Sequence, residues 1–312
     1  MKSLRVLITD QCNAKCPNCI NRRIRTEKAF IDAHLFEKLC IHFEKAKVCN
    51  IKIMGGEPSI HPNFTTIIDV AQKHFFRVTI FSNGLCSELE KFNPREQDSI
   101  NYNFNFSKQW NASRFLPQKK GRRILEIVVT KQTDSSKIIS ELERIISLVS
   151  ITFVVSLSFD CTENIFKHKN FLLSQIMNIK KFCREHDIET IIDHSVPFCF
   201  IYGTKFPTTS KGAICNEECA GLIDPNFNMH FCNQHNEEKL PIMEKGEFLP
   251  MEIINNFLKR NHYQNQITVL KKICEDCIFF GDRCNGGCFM ANPSITKKDV
   301  LENTCFPLKQ MV

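Results

Sequence analysis

The sequence lacks any apolar run that could cross a membrane, since no segment approaches the 18 consecutive apolar residues that mark a transmembrane helix. Its start, MKSLRVLITDQC, also has too short an apolar stretch for a signal peptide. Basic residues are in slight excess, 41 against 34 acidic ones, but they are not concentrated in one run. We therefore expect a cytoplasmic protein without a membrane partner, and nucleic-acid binding is not indicated.

Cysteine, in contrast, is abundant, with 17 residues in a chain of 312. In a reducing compartment this number argues for metal ligation rather than for disulfides. Cys12, Cys16 and Cys19 are spaced C-x3-C-x2-C directly after a predicted strand. Three thiolates on one short loop can hold three irons of a four-iron cluster, which leaves the fourth iron open to bind and reduce another molecule.

The GGEP turn at residues 55–58 follows a second predicted strand. Together with the cysteine triplet it resembles the radical S-adenosylmethionine (SAM) superfamily. The resemblance implies that the open iron chelates the amino and carboxylate groups of SAM. It also implies that the turn lies beside the methionine part of SAM, where glycine allows bare backbone to approach. For Glu57, an ordinary turn carboxylate is the alternative. The residues assigned to SAM in this way are Gly55, Gly56, Glu57 and Pro58.

The first two thirds of the chain alternate apolar runs with amphipathic helical patterns, which predicts an α/β fold with a parallel sheet. Six such units and a final strand match the partial (β/α)6 TIM-like barrel of the family, expected over residues 1–205, with the chemistry at the C-terminal ends of the strands. Predicted strands cover residues 5–9, 50–54, 77–82, 100–106, 124–130, 151–158 and 190–198. Predicted helices cover residues 32–47, 135–150 and 162–185.

Several candidate site residues lie near the ends of predicted strands. Ser82, Asn83 and Asn105 are candidates for binding the carboxylate or ribose of SAM, and capping or turn formation is the alternative for each. Cys161 and Cys199 are candidate catalytic residues, as hydrogen-atom donors in the barrel lumen. Their alternative is burial as small core residues, the state that we expect for the helical Cys40 and Cys183. One or both of Ser156 and Ser158 should face the lumen.

Eight further cysteines lie in the last hundred residues, the number that two four-iron clusters require. They resemble the SPASM extension found on many radical SAM enzymes, a small cysteine-rich domain with two auxiliary clusters, which we expect over residues 206–312. By this resemblance one cluster is held by Cys215, Cys219, Cys232 and Cys288, and the other by Cys274, Cys277, Cys284 and Cys305.

The hairpin that ends in the third of these cysteines differs from the family pattern. Phe227 stands where the family has glycine, while the neighbouring Asn226 and Asn228 tolerate left-handed backbone conformations. His230 and His235 flank the same cysteine, and we expect both on the surface.

Structural zinc is the alternative metal, because C-x2-C followed by C-x3-C suits a tetrahedral site. The protein would then be a zinc-binding module without redox chemistry. For the N-terminal triplet, zinc lacks a local fourth ligand and leaves the GGEP turn unexplained.

The resemblance implies an enzyme with three [4Fe-4S] clusters that cleaves SAM to a 5′-deoxyadenosyl radical and abstracts hydrogen from its substrate. SPASM enzymes mostly modify ribosomally made peptides by crosslinking, thioether formation, epimerisation or oxidation, so a peptide is the expected substrate. A small molecule in antibiotic or cofactor biosynthesis is the alternative. Only eleven residues precede Cys12, so we expect leader recognition by a separate protein or by the barrel surface. An electron donor such as flavodoxin or ferredoxin is the other expected partner.

Overall fold

Strands and helices alternate through most of the chain in the structure, a computed structural model that describes residues 3–16, 19, 21, 29–104, 120–148, 152–159, 164–192, 200, 221–232, 235–260, 274, 296, 298, 299 and 302. The strands are β1 (Ser3–Leu7), β2 (Asn50–Met54), β3 (Arg77–Ser82), β4 (Ser99–Asn103), β5 (Arg122–Val129), β6 (Val154–Phe159), β7 (Glu189–Ile192), β8 (Leu222–Ile223), β9 (Asn228–Cys232), β10 (His235–Pro241), β11 (Met243–Glu244) and β12 (Glu247–Phe248). The helices are α1 (Ala33–Lys45), α2 (Phe64–His74), α3 (Ser135–Leu148) and α4 (Lys169–Glu185), and residues 251–260 are also helical. Within these described ranges, no helix is both long and apolar enough to cross a membrane.

Strands β1 to β7 lie side by side in chain order, and each neighbouring pair is parallel. Parallel neighbours need a crossover between them, usually a helix, and this arrangement confirms the predicted α/β fold. The predicted bounds of β2 and β3 are those observed. Because all seven strands run in one direction, their C-terminal ends lie at one edge of the sheet. The cysteine loop and the GGEP turn both follow strands at that edge.

One face of the sheet packs against the helices in a single apolar core. Helix α1 begins after Asp32, whose carboxylate accepts a hydrogen bond from the Leu35 N–H at 2.8 Å and so caps the first turn. The apolar residues of α1 recur at helical spacing, and Cys40 is buried among them. Cys183 on α4 is buried as well, which confirms the prediction that both cysteines are core residues. The opposite face of the sheet is called the lumen face below.

Helix α2 is absent from the helices predicted above. The signal for it is nevertheless in the sequence, because four apolar residues recur at the spacing of one helical face. They are all buried in the structure: Phe64, Ile67, Ile68 and Ala71.

Three strands extend the sheet beyond β1. Strand β8 pairs in parallel with β1 on the side away from β2, and β9 and β10 continue the sheet in antiparallel pairs. The predicted division between residues 205 and 206 stays a prediction. In the described residues, however, these three strands belong to the same sheet as the barrel strands.

The turn between β8 and β9 places Phe227 in the left-handed conformation, with φ at 61°. The Asp224 carboxylate organises the turn, since its Oδ1 accepts hydrogen bonds from the Asn226 and Asn228 N–H groups, both at 2.9 Å. The Phe227 side chain is buried, and its ring centroid lies 5.8 Å from that of Phe248. Phe227 thus adopts a backbone conformation that suits glycine, the residue that the family pattern has at this position. Burial of its ring offsets the strain in the backbone.

We expect Phe227→Gly to be more stable than Phe227→Ala, the reverse of the usual order. Both variants lose the buried ring, at a cost of about 3–5 kcal/mol. Only alanine keeps a Cβ in the left-handed region, which costs roughly 1–2 kcal/mol. Urea unfolding gives the free energy of each variant. The control is Lys181, an exposed residue of α4. There Lys181→Ala should be more stable than Lys181→Gly, because alanine favours the helix. Greater stability of Phe227→Ala would contradict the strained turn.

Candidate active site

The cysteine loop begins where β1 leaves the sheet. The Ile8 N–H still donates to the Met54 carbonyl at 2.9 Å, but Thr9 then pairs with Phe30 in an isolated antiparallel bridge. The chain is thereby directed away from β2 and into the stretch that carries the triplet. Cys12 and Cys19 are exposed there, and Cys16 is half-buried.

The three thiols influence one another electrostatically. Burial raises the pKa of the Cys16 thiol to about 11, and the neighbouring Cys19 and Cys12 add to the rise. Burial is also the largest cause that raises the pKa of Cys12, with smaller upward contributions from Glu57 and Cys19, opposed by the Ala14 N–H and Asn83. A metal centre bound to Cys12 and Cys16 would favour their thiolate forms, because its positive charge opposes these upward shifts.

The ligand chemistry of these thiols suits an iron–sulfur cluster. In an iron–sulfur cluster each thiolate binds a different iron, so the thiolates stand apart. Three soft thiol ligands on one exposed loop suit that group.

The GGEP turn is bonded to the backbone that leads into the cysteine loop. The Gly56 N–H donates to the Thr9 carbonyl and the Glu57 N–H to the Gln11 carbonyl, both at 2.8 Å. A Cβ atom on Gly56 would lie 2.1 Å from the Gln11 carbonyl oxygen, and one on Gly55 would lie 2.7 Å from the Thr9 carbonyl oxygen. Close backbone approach therefore requires both glycines, whatever the turn also does for a ligand.

Glu57 is a buried carboxylate that protein groups fully engage. One oxygen accepts hydrogen bonds from the Ser59 N–H, the Ser59 hydroxyl and the Ser82 hydroxyl, and the other accepts from the Asn83 N–H at 2.7 Å. Burial raises the pKa of Glu57, although these hydrogen bonds act in the opposite direction. The carboxylate joins the ends of β2 and β3, and its contact with SAM stays a prediction. Pro58 follows it as the first residue of a 3-10 helix, Pro58–Ile60.

The residues after β3 form a tight turn. The Ser82 hydroxyl, which donates to Glu57, accepts the Gly84 N–H at 3.0 Å, and the Asn83 side-chain oxygen accepts the Leu85 N–H at 2.9 Å. Gly84 itself has a positive φ of 70°. Ser82 and Asn83 therefore both stabilise the turn, which was the alternative to SAM binding for each. The turn lies at the same edge of the sheet as the cysteine loop.

Ser156 and Ser158 both lie on the lumen face. In the β5–β6 register they stand opposite Glu126 and Val128, while Leu157 between them belongs to the helix-side core. Both serines are buried, and the Ser158 hydroxyl has no hydrogen-bond partner among the described residues. The prediction that one or both face the lumen is confirmed for both.

The prediction that His230 lies on the surface is wrong. Its side chain is 5% exposed, and its Nε2 lies 2.8 Å from Oδ2 of Asp224. Strand pairing explains the burial, because His230 stands opposite Leu222, which packs with Leu7 and Met54 on the lumen face. The carboxylate of the preceding turn therefore holds the imidazole inside the sheet extension. Of His235, the structure describes only the backbone.

The structure brings together the cysteine loop, the GGEP turn and the turn after β3. Several other predicted site residues lie outside the described ranges. Two side-chain hydrogen bonds near the cysteine loop were not anticipated: Asn21 Nδ2 donates to the Gly55 carbonyl at 2.6 Å, and Asn83 Nδ2 donates to Asn13 Oδ1 at 2.8 Å. No periodic pattern singles out these asparagines. Of the cysteines predicted to hold auxiliary clusters, Cys232 ends β9 and is half-buried, and Cys274 is half-buried. The predicted site residues outside the described ranges are Asn105, Cys161, Cys199, Cys215, Cys219, Cys277, Cys284, Cys288 and Cys305.

Sequence comparison matches residues 6–107 to the model of the radical SAM superfamily. A tungsten-containing aldehyde ferredoxin oxidoreductase cofactor-modifying protein of Pyrococcus furiosus is 33% identical over 86 residues, which are 27% of this chain and 24% of the relative. Mycofactocin maturase MftC of Mycobacterium ulcerans is 26% identical over 78 residues, 25% of this chain and 21% of the relative. The chain thus spans about a quarter of the length of these curated relatives.

Two solved structures share the fold over almost the whole chain. SuiB of Streptococcus suis, bound to S-adenosylmethionine, gives a TM-score of 0.68 at 14% identity and covers 96% of this chain and 75% of that one. Native anSMEcpe with bound AdoMet gives a TM-score of 0.61 at 15% identity and covers 96% of both chains. These likenesses show the partial-barrel fold. The part of the chain that matches the radical SAM model, residues 6–107, lies within the region that shares this fold.

Proposed function

We propose that the chain is a radical SAM enzyme that modifies a ribosomally made peptide. The observation that carries the proposal is the backbone bonding between the GGEP turn and the entrance to the cysteine loop, through Gly56 to Thr9 and Glu57 to Gln11. It fixes a thiol-bearing loop beside a glycine turn at the catalytic edge of a parallel sheet.

Cys12, Cys16 and Cys19 would hold the SAM-binding [4Fe-4S] cluster. When bound, this cluster would supply the electron for the reductive cleavage of SAM, the chemistry by which the enzyme would take hydrogen from its substrate. The chain contributes the ligands, the fixed position of the loop and the lumen. Ser156 and Ser158 present hydroxyl groups to that lumen. Cys161 and Cys199 stay proposed hydrogen-atom donors, and Ser82 and Asn105 proposed SAM contacts.

The peptide substrate is supported by the relatives. SuiB has also been solved with its precursor peptide SuiA, and anSMEcpe with AdoMet and the Kp18Cys peptide. Mycofactocin maturase MftC and the subtilosin biosynthesis protein AlbA are among the sequence relatives. A leader-binding protein and an electron donor such as flavodoxin or ferredoxin complete the proposed partners. The high cysteine content suits the reducing cytoplasm.

Two auxiliary [4Fe-4S] clusters belong to the same proposal. Cys215, Cys219, Cys232 and Cys288 would hold one, and Cys274, Cys277, Cys284 and Cys305 the other. The sheet extension offers the first of them a fixed attachment point, because Cys232 ends a paired strand.

We expect the anaerobically reconstituted protein to bind about twelve irons with matching labile sulfide, four for each of three clusters. It should also convert SAM to 5′-deoxyadenosine under dithionite. Iron and sulfide analysis and chromatography of the products measure both. Zinc as the only metal after anaerobic purification would reject the enzyme and favour a zinc-binding module.

The substrate class has its own test. A precursor peptide encoded beside this gene, incubated with enzyme and SAM, should gain a mass change that tandem mass spectrometry assigns to particular residues. An unmodified peptide, with product formed from a small molecule instead, would replace the peptide by the alternative substrate class.

A further inference from the structure

The Asn83 side chain connects the end of β3 to the cysteine loop. It is 7% exposed, and its Nδ2 donates to Asn13 Oδ1 at 2.8 Å. The same nitrogen lies 3.7 Å from the Cys12 sulfur, within the reach of a hydrogen bond to sulfur. The backbone N–H of Ala14, at 3.3 Å, is the other donor to this sulfur among the described contacts.

The orientation of this amide is fixed by its other contacts. Its oxygen accepts the Leu85 N–H at 2.9 Å, so the nitrogen must point toward the loop. The Asn83 backbone N–H donates to the buried Glu57 carboxylate at 2.7 Å. Because its backbone and its side-chain oxygen are both held by these hydrogen bonds, the Asn83 amide can donate to the Cys12 sulfur without further ordering of its side chain.

We infer that Asn83 is a positioning residue that donates a hydrogen bond to the Cys12 sulfur and thereby raises the reduction potential of the cluster on this loop. This inference rests on the proposed function. Hydrogen bonds to ligand sulfur withdraw negative charge, which favours the reduced state of an iron–sulfur cluster. Partners beyond the ligands themselves commonly tune a metal centre in this way. The donor from Ala14 is backbone, so Asn83 is the donor that a substitution can remove.

We expect both Asn83→Ala and Asn83→Asp to shift the midpoint potential of the SAM-binding cluster to more negative values. The aspartate variant should shift further, because it keeps the size of the side chain and the acceptor for Leu85 but places a carboxylate beside the thiolate. Redox titration followed by electron paramagnetic resonance measures the potential, and the change in the spectrum on adding SAM identifies this cluster. The shift must exceed the spread between repeated titrations of the wild type.

Gln72→Ala is the matched control, since its amide donates to Asp98 Oδ2 at 2.8 Å near the start of β3, at the opposite end of the strand. Its potential should equal that of the wild type. Wild-type potentials in both Asn83 variants would overturn the inference while leaving the proposed function intact. Loss of the cluster from both would also overturn it, because Asn83 would then only hold the loop. A wild-type protein that binds no iron–sulfur cluster would instead reject the proposed function.

Discussion

Replacing Gly56 with alanine should remove most of the iron from the SAM-binding site and abolish SAM cleavage. The new Cβ would lie 2.1 Å from the Gln11 carbonyl oxygen and 2.8 Å from that of Asp10, so the loop or the turn must move. Overpacking of this kind costs about 1–3 kcal/mol, and here it acts on the backbone that positions Cys12. Iron content, 5′-deoxyadenosine formation and the urea midpoint measure the three consequences.

Two other glycine-to-alanine variants test whether the collision of the new Cβ atom causes the loss of iron. Gly55→Ala should have a smaller effect, since its Cβ would meet the Thr9 carbonyl oxygen at 2.7 Å. Gly246→Ala has no atom within 4 Å of its Cβ, although its φ of 84° is unfavourable for alanine, so only stability should fall and iron should stay. Wild-type iron content and SAM cleavage in Gly56→Ala would show that the close approach is dispensable.

Replacing Cys12, Cys16 and Cys19 together with alanine should abolish SAM cleavage and remove about a third of the iron, one cluster of three. The folded state should persist, because the loop lies outside the apolar core and two of the three thiols are exposed. Dithionite-driven 5′-deoxyadenosine formation and iron analysis measure the two effects.

Cys49→Ala is the control for this experiment, because Cys49 is also exposed but directly precedes β2, at the opposite edge of the sheet. Its iron content and SAM cleavage should match those of the wild type. SAM cleavage by the triple variant would assign the SAM-binding cluster to other cysteines.

The parallel sheet could be predicted because its strands are short apolar runs between amphipathic helices. The predicted bounds of β1 are displaced, from residues 5–9 to Ser3–Leu7, because Thr9 pairs with Phe30 instead of a sheet strand. Helix α2 is not among the predicted helices, although its buried apolar residues recur at the spacing of one helical face. The helix covers eleven residues, and its one apolar face packs in the helix-side core.

The cysteine triplet and the GGEP turn of the candidate active site could be predicted as sequence motifs. The contacts between them could not. The GGEP turn could be recognised, yet the collision that a side chain on Gly56 would make with Gln11 depends on how the chain continues after β1 and β2. Likewise, His230 is buried because its hairpin partner Leu222 packs against Leu7 and Met54, which lie far away in the sequence, so no local pattern encodes the burial. Phe227 shows the converse case, since it adopts a left-handed conformation that favours glycine at the position where the family pattern has glycine.

The pairing of β8 with β1 has a consequence for biosynthesis. Arg5, near the start of the chain, donates a hydrogen bond to the Gly221 carbonyl across a separation of 216 residues. During synthesis this edge of β1 stays unpaired until the chain beyond residue 221 has emerged. Pairing over such distances slows folding, and an unpaired strand edge invites association with other chains. The nascent polypeptide therefore carries its cysteine loop on an unfinished sheet until β8 has been synthesised, and during that period the open edge of β1 is exposed to association with other chains.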